Sequence, residues 1–239
     1  MKVTLAQTSP KLNRCNLDDI CKIVEEFSTT SDLIVFPELS LSGYLLQDKL
    51  YEDAWEMDEL EKLAILSKDI DIVVGSAIKE GDLFKNSALY FSECKLLSKH
   101  DKVHLPNYGM FEEARYFTSG GNMFESFNTS YAKVSMLVCE DLWNVEAAKK
   151  LYEENPDLII ALVASPARGF EEDGLLIEDQ WYSLIKSISL YCNAKVIFVN
   201  RVGFEDGLGF WGGSCIVDSD ARILHKLPKY ENTIKTFEI

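Results

Sequence analysis

Short apolar runs of strand-like composition alternate with helix-like stretches, and this alternation constrains the fold more than any other feature. Residues 33–36 and 158–163 carry no polar side chain, as is typical of parallel strands covered on both faces. The predicted strands are residues 2–6, 33–36, 72–78, 87–91, 133–138, 158–163, 195–199 and 213–218. The predicted helices are residues 16–27, 54–68, 145–154 and 180–192, with Asp179 as a candidate cap of the last one. The pattern predicts an α/β domain of stacked layers.

Short connections between some of these strands argue against a closed barrel. Residues 72–78 and 87–91 are joined through a turn at Gly81-Asp82, which leaves no room for a crossover helix. An eightfold α/β barrel needs a helix after each strand, so stacked sheets and helices fit better. The 239 residues contain no linker and no repeat, and we therefore expect a single domain covering residues 1–239.

The formal net charge of −15 limits the class of partner. An acidic surface repels phosphate backbones and anionic lipid, so we expect neither nucleic acid nor a membrane as a partner. The amino terminus does not resemble a signal peptide, and no apolar run reaches the roughly 18 residues that a membrane span needs. These features predict a cytoplasmic protein.

The six cysteines are scattered and include no C-x-x-C pair. This spacing speaks against a zinc site, and we expect no metal and no cofactor. Most of the thiols are expected to be small buried hydrophobes.

Two predicted strands run directly into polar residues. The first ends in Pro37 and Glu38, at the kind of strand end where α/β folds place their sites. The second delivers Cys139, which Glu140 and Asp141 follow. Each has a plainer interpretation, since Glu38 alone could be a solvated loop acid and Cys139 alone a packed thiol. A helix starting after Cys139 would stabilise a thiolate, whereas the two acids add like charge and call for a nearby cation.

A loop unusually dense in charged and aromatic residues supplies candidates for that cation. It has the sequence LSKHDKVHLPNYGMFEEARYF, and Lys102 is the obvious choice. Taken alone, Lys102 would be a solvated charge and His104 a structural residue. Amide hydrolysis needs a nucleophile, a base and oxyanion donors, which Cys, Glu and Lys can supply together. A papain-like Cys–His pair is the weaker alternative, because none of the three histidines is placed as Cys139 is.

In this order and spacing, the motifs resemble the nitrilase superfamily of carbon–nitrogen hydrolases over nearly the whole chain. They are VTLAQTSP, FPELSLSGY, KVHLPNYGMFEEARYF, LVCEDLW, NRVGFE and FWGGSCIVD. The resemblance implies a four-layer α-β-β-α sandwich. It also implies that Glu38 is the general base, that Lys102 stabilises thiolate and oxyanion with help from the Glu140 N–H, and that Cys139 attacks the carbonyl to form a thioester.

The family often carries a second glutamate after the lysine, in an F-x-E pattern. Phe111 and Glu113 match it, so Glu113 is expected to position the substrate amide and Lys102. Glu112 is the neighbouring competitor. Because the three groups would lie close together, the Glu38–Lys102–Cys139 set should titrate as a unit.

Within the superfamily, the sequence looks most like the glutaminase domain of glutamine-dependent NAD synthetases. CEDxW after the nucleophile and SP at positions 165 and 166 match that branch. The resemblance implies glutamine-like binding by Tyr108, Glu140, Ser165 and, more loosely, Arg168. Aromatic residues that could wall a pocket or simply fill the core are Phe111, Tyr116, Phe170, Trp181 and Trp211.

The chain departs from that branch because it has neither a GxxxxGK nor an SGGxDS phosphate-binding loop. The sequence therefore leaves open a glutaminase-like subunit of a separate synthetase, an independent amidase, or a divergent homologue acting on another substrate. A nitrile-hydrolysing enzyme and an inactive binding or scaffold protein are the alternatives from other classes. The resemblance also implies a homo-oligomer, with a dimer formed through the helix after Cys139, although little chain follows residue 229 to support higher assembly.

Overall fold

The computed structural model describes residues 1–121 and 124–239. Strands make up most of its regular structure. In chain order the strands are β1 (Lys2–Gln7), β2 (Leu33–Val35), β3 (Asp71–Glu80), β4 (Leu83–Ser92), β5 (Lys95–Asp101), β6 (Phe127–Asn128), β7 (Lys133–Val138), β8 (Leu158–Val163), β9 (Phe170–Glu171), β10 (Gly174–Leu175), β11 (Lys195–Asn200), β12 (Val202–Glu205), β13 (Leu208–Trp211), β14 (Cys215–Val217), β15 (Ile223–Lys226) and β16 (Thr233–Glu238).

The helices are fewer and several are short. The α-helices are α1 (Asn16–Phe27), α2 (Leu50–Asp53), α3 (Glu61–Leu66), α4 (Glu113–Tyr116), α5 (Val145–Glu154) and α6 (Leu176–Cys192). Single 3₁₀ turns cover Gln47–Lys49, Met57–Leu60 and Cys139–Trp143. No helix in the described ranges is long and apolar enough to cross a bilayer.

The longer strands form two six-stranded sheets. The first sheet has the order β16-β1-β2-β3-β4-β5, in which β1, β2 and β3 are parallel and β3, β4 and β5 form an antiparallel meander. The second has the order β15-β14-β11-β8-β7-β6, with β7, β8 and β11 parallel. Strands β3 and β4 pair antiparallel, in agreement with the short turn predicted between residues 72–78 and 87–91, and β11 and β14 also pair antiparallel.

The two sheets face each other and helices cover both outer surfaces. Val35 and Tyr90 of the first sheet and Met136 and Val138 of the second belong to one buried cluster. The same cluster includes Leu151 of α5 and Trp181, Ile185 and Ile188 of α6. A second cluster packs Ile20 and Val24 of α1 and Leu63 of α3 against Ile34 and Ile72 of the first sheet. The predicted four-layer α-β-β-α sandwich is confirmed.

The helix boundaries differ from the predicted ones. Helix α6 begins at Leu176, so Asp179 lies in its first turn and the prediction that Asp179 caps the helix was wrong. The capping position is taken by Leu175, whose side chain makes no capping hydrogen bond. The helix predicted over residues 54–68 is limited to α3 and the preceding 3₁₀ turn, since Glu56 and Glu59 form a capping box that starts the turn only there.

Candidate active site

The carboxyl ends of four strands, two from each sheet, meet at one edge of the sandwich. Glu38 follows β2 and Lys102 directly follows β5, while Cys139 directly follows β7 and Ala164 follows β8. Hydrogen bonds join Glu38 to both Lys102 and Ala164, so they link the two sheets at this edge. The structure thus brings together the predicted residues of separate segments.

Glu38 is fully buried and its carboxylate is held on both oxygens. Its Oε1 accepts hydrogen bonds from Asn86 Nδ2 at 2.8 Å and Lys102 Nζ at 2.8 Å. Its Oε2 accepts from the backbone N–H of Ala164 at 2.9 Å. The turn that carries Glu38 lies so close to Gly75 of β3 that a Cβ there would come within 2.5–2.7 Å of the turn's backbone. Glycine at position 75 is therefore what lets this turn pack onto the sheet.

Lys102 is also buried, and its ammonium lies between two carboxylates. Nζ donates to Glu38 Oε1 at 2.8 Å and to both oxygens of Glu113 at 2.7 and 2.9 Å. Burial alone would lower the pKa of Lys102, but the charges of Glu113 and Glu38 outweigh it and hold that pKa well above its usual value. Lys102 therefore stays an ammonium.

Glu113 is the first residue of α4, and its carboxylate accepts a hydrogen bond from Lys102. The Tyr44 O–H donates to Glu113 Oε1 at 2.8 Å. Burial raises the pKa of Glu113, and the nearby charge of Glu38 adds to that effect, against the opposing influence of Lys102. Glu112 instead pairs with Arg115 on the surface.

Cys139 is buried and its backbone adopts φ = 45°, a left-handed conformation that is unusual for a residue other than glycine. Burial raises the pKa of its thiol well above the usual value, the charge of Glu38 raises it further, and Lys102 opposes both. The resting side chain is therefore a thiol, although the sequence argument stressed stabilisation of a thiolate. Asp141 remains negatively charged next to the thiol, and five hydrogen-bond donors stabilise its carboxylate.

A small cavity opens at the thiol. It is lined by Tyr44, Pro106, Phe111, Cys139, Glu140, Trp143, Ala164, Ser165, Pro166, Arg168 and Trp181. Three of the four predicted substrate-binding residues, Glu140, Ser165 and Arg168, are among these. The fourth, Tyr108, contacts the cavity indirectly, since its O–H donates to the Glu140 carboxylate at 2.9 and 3.0 Å.

The pKa of Glu140 lies above its usual value. Burial raises the pKa of Glu140, while the Tyr108 O–H and the positive charges of Lys102 and Arg168 act in the opposite direction. Ser165 is oriented by its neighbours, because its Oγ accepts from Trp181 Nε1 at 2.8 Å. The cavity mouth therefore carries a carboxylate and a guanidinium above the buried thiol.

The aromatic residues suggested as pocket walls divide into three groups. Phe111 and Trp181 line the thiol cavity. Tyr116 lines a larger neighbouring cavity of mostly apolar lining, which shares Tyr44 and Phe111 with the first. Trp211 is fully buried core, and Phe170 is 76% exposed. The smaller cavity is the candidate site because it alone of these two contains Cys139.

Sequence reasoning did not single out three residues that hold this site together. Tyr44 closes the FPELSLSGY motif, and that position was the available signal. Asn86 lies on β4 as a buried polar residue of a mostly apolar strand. Asp141 was considered only as a like charge after Cys139 and as part of the CEDLW motif. Across the described ranges, no group of three or more His, Cys, Asp or Glu side chains is placed to hold a metal ion.

Comparison with known proteins identifies the family of the chain. The carbon-nitrogen hydrolase family profile matches residues 2–239. The chain is 30% identical to a glutamine-dependent NAD(+) synthetase of Acinetobacter baylyi over 98% of its own length but 43% of the relative, so it spans less than half of that protein. It is 28% identical to a nitrilase of Pyrococcus abyssi, with 100% of this chain and 89% of the relative covered.

A solved structure shares the fold. It is a mutant of the amidase from Nesterenkonia sp. AN1 that shows Michael addition of acrylamide at the active site cysteine. The two superpose with a TM-score of 0.84 at 22% identity, covering 100% of this chain and 93% of the amidase. Together with the family match over almost every residue, these likenesses establish that this chain belongs to the carbon-nitrogen hydrolase family of enzymes.

Proposed function

We propose that this enzyme hydrolyses the C–N bond of a small linear amide, with a glutamine-like substrate favoured, through a thioester on Cys139. The observation that carries the proposal is the buried ammonium of Lys102, which bonds to both Glu38 and Glu113 beside the thiol. A nucleophile, a base and a fixed cation are the parts that acyl transfer from an amide needs.

The first step forms the thioester. Glu38 takes the proton of the Cys139 thiol, and the sulfur attacks the substrate carbonyl. Lys102 keeps its proton because its pKa is raised, so it acts on the tetrahedral oxyanion by charge, with the backbone N–H of Glu140 as second donor. The N–H of Ala164 already donates to Glu38 and orients the base. When the intermediate collapses, Glu38 returns the proton to the departing nitrogen.

The second step releases the acid. A water molecule loses a proton to Glu38 and attacks the thioester, and the second tetrahedral intermediate expels the Cys139 sulfur, which recovers the proton. Glu113 is not on the proton route. It holds the Lys102 ammonium on the side away from Glu38, with its own orientation set by the Tyr44 hydroxyl.

The cavity mouth favours a substrate with both charges of an amino acid. Glu140 would bind an ammonium group and Arg168 a carboxylate, while Tyr108 and Ser165 fix the two walls. The name of the Acinetobacter baylyi relative, a glutamine-dependent NAD(+) synthetase, supports glutamine and a synthetase as receiver of the ammonia. The cytoplasmic location stays a prediction.

The nitrile substrate is a second candidate, favoured by the likeness to the Pyrococcus abyssi nitrilase over nearly the full length of both chains. A nitrile would use the same thiol and ammonium. The substrate panel described below therefore includes nitriles, and acid production from a nitrile but from no amide would move the proposal to that class.

A homodimer through the outer face of α5 and α6 is proposed as the assembly. A groove between these helices is lined by Trp143, Val145, Tyr152, Leu184 and Tyr191 among others. Val145 is 83% exposed and Tyr152 66%, which leaves an apolar strip next to the turn that carries Cys139. Analytical ultracentrifugation of wild type and Tyr152→Lys tests this, since a monomeric wild type contradicts the dimer.

Ammonia release is the direct test of the reaction. Glutamine, other small amides and nitriles are incubated with wild type, Cys139→Ala and the control Cys192→Ala, which removes another buried thiol. We expect Cys139→Ala to lose activity by several orders of magnitude and Cys192→Ala to keep it. Adding Lys102→Ala to Cys139→Ala should reduce activity little further, because the effects of substituting residues that act as a unit are not additive. Equal ammonia release by wild type and Cys139→Ala across the panel would end the proposal.

The covalent step has its own test. Glu38→Gln cannot activate the water of the second step. A substrate reactive enough to acylate the thiol without help from the base should therefore leave an acyl group trapped on the enzyme. Intact-mass spectrometry followed by peptide mapping should locate that group on Cys139. An adduct on Cys192 or Cys215 instead would refute the assignment of the nucleophile.

A further inference from the structure

Asp141 is fully buried beside the site, yet it does not line the thiol cavity. It lies in the 3₁₀ turn that begins at Cys139. Its carboxylate accepts hydrogen bonds from five donors, all between 2.9 and 3.2 Å. A buried carboxylate with this many partners fixes the segments that the partners belong to.

The two oxygens of Asp141 connect the chain around Lys102 to the chain around Cys139. Oδ1 accepts from the backbone N–H groups of Val103 and His104, at 3.0 and 2.9 Å, and from His104 Nδ1 at 3.2 Å. Oδ2 accepts from His100 Nε2 at 2.9 Å and from the backbone N–H of Val138 at 3.2 Å. The donors thus lie on either side of Lys102 and directly before Cys139.

This connection spans the two sheets. Lys102 follows β5 of the first sheet, where its backbone N–H donates to Asn86 at 2.8 Å. Cys139 follows β7 of the second sheet. The Asp141 carboxylate joins these two strand ends directly, and it does so next to the left-handed backbone of Cys139.

The carboxylate keeps its charge. Burial by itself would raise the pKa of Asp141, but the hydrogen bonds from His100 and His104 and the charge of His100 hold it well below its usual range. A carboxylate ion only accepts, so His100 must carry a proton on Nε2 and His104 one on Nδ1. Both imidazole rings also pack on Phe124, with ring centroids 5.4 and 6.0 Å away.

We propose that Asp141 is a positioning residue that sets the distance between the Lys102 ammonium and the Cys139 sulfur. It acts through the backbone and the two histidines and does not touch the substrate. The inference rests on the proposed function, because only then does this distance decide the stability of thiolate and oxyanion. A misplacement of about 1 Å in such a site can cost roughly 100-fold in rate.

The test compares Asp141→Asn with Asp71→Asn. Asp71 is a matched control, a buried aspartate that accepts from Tyr90 Oη at 2.7 Å at the start of β3. The carboxamide in Asp141→Asn keeps the shape but turns one acceptor into a donor that faces His100 or a backbone N–H. We expect kcat to fall by about 100-fold with KM nearly unchanged, and Asp71→Asn to keep kcat. A folded Asp141→Asn protein with wild-type kcat overturns the proposal, as does a change in KM alone.

Alkylation of Cys139 by acrylamide, followed by mass spectrometry, gives a readout that needs no substrate. Asp141→Asn should slow it, since the ammonium no longer lies where it favours the thiolate, and Asp71→Asn should not. If wild type turns over no amide or nitrile, the proposed function fails while this rate still tests the positioning role. An unchanged rate in Asp141→Asn refutes that role.

Two measurements decide the question if Asp141→Asn does not fold. His104→Phe keeps the ring on Phe124 and removes one donor, so kcat and the alkylation rate should fall by a smaller factor. Wild-type values for both would overturn the proposal. In the wild-type protein, ¹⁵N NMR of the three histidines should show a proton on His100 Nε2 and on His104 Nδ1. An unprotonated nitrogen at either position contradicts the hydrogen bonds on which the proposal depends.

Discussion

Replacement of Lys102 by methionine should destabilise the protein far more than the loss of an ordinary salt bridge. The ammonium makes three hydrogen bonds of 2.7–2.9 Å to two buried carboxylates, and methionine would leave both facing each other without a cation. Removing one partner of a buried ion pair costs about 3–5 kcal/mol in the free energy of unfolding. Because Lys102 serves two carboxylates, we expect the upper part of that range.

Lys99→Met is the matched control. Lys99 also lies on β5 and pairs with two carboxylates, those of Glu80 and Asp101, but its side chain is 23% exposed. A surface ion pair contributes about 0–1 kcal/mol, so Lys99→Met should be nearly neutral. Urea denaturation, followed by circular dichroism, measures the midpoint of unfolding of each variant. Lys102→Met should lower that midpoint by more than about 1 M, whereas Lys99→Met should leave it nearly unchanged. Equal midpoints for the two variants would refute the reasoning.

The stability that Lys102→Met loses relative to wild type should increase with pH. Without the ammonium, the pKa of Glu113 in the folded state rises still further above its unfolded value. The folded variant then binds a proton that the unfolded chain does not, so its stability is lost as pH increases through that window. The deficit relative to wild type should therefore be larger at about pH 8 than at about pH 5. Glu113→Gln added to Lys102→Met should restore part of the stability, and strict additivity of the two changes would contradict the shared-ammonium account.

Two further variants test how the site is held. Gly75→Ala places a Cβ within 2.5–2.7 Å of the backbone that carries Glu38. Urea denaturation should therefore show that the free energy of unfolding falls by about 1–3 kcal/mol, and ammonia release should fall too. Unchanged values would mean that the turn can move away from the added methyl group. Tyr44→Phe removes the O–H donor of Glu113 and should lower the free energy of unfolding by about 1.5–3 kcal/mol at neutral pH. The loss should be smaller at low pH, where Glu113 is protonated. A loss of the same size at every pH would show that the hydroxyl does not stabilise the carboxylate.

The sequence predicted the central strands well because their burial leaves a composition signal. Strands β2 and β8 are covered on both faces and consist only of apolar residues. Strand β5 was read as part of a loop and β16 was not predicted. Both lie at an edge of the first sheet and interleave polar with apolar residues, so they resemble surface segments. Their assignment depends on pairing with β4 and β1, which is a tertiary fact.

Some residues of the candidate site could likewise be predicted from the sequence and others could not. Glu38, Lys102, Glu113 and Cys139 follow strands or begin a helix in a recognisable order, so their convergence could be predicted. The contributions of Tyr44 and Asp141 could not, because a tyrosine hydroxyl or an aspartate after a cysteine has many possible partners. Only the folded chain shows that Asp141 meets donors from two segments rather than the thiol.

The raised pKa of the Cys139 thiol looks unfavourable for a nucleophile until the whole cluster is considered. Burial, Glu38 and Glu113 disfavour loss of the thiol proton to bulk water, which would add a negative charge to a site that already holds two carboxylates and one ammonium. Transfer of that proton to Glu38 adds no charge, because the carboxylate becomes neutral as the sulfur becomes anionic. The Lys102 ammonium, fixed by Glu113, remains beside the new anion. Burial therefore keeps the thiol protonated at rest, yet it does not oppose the internal proton transfer with which the proposed mechanism begins.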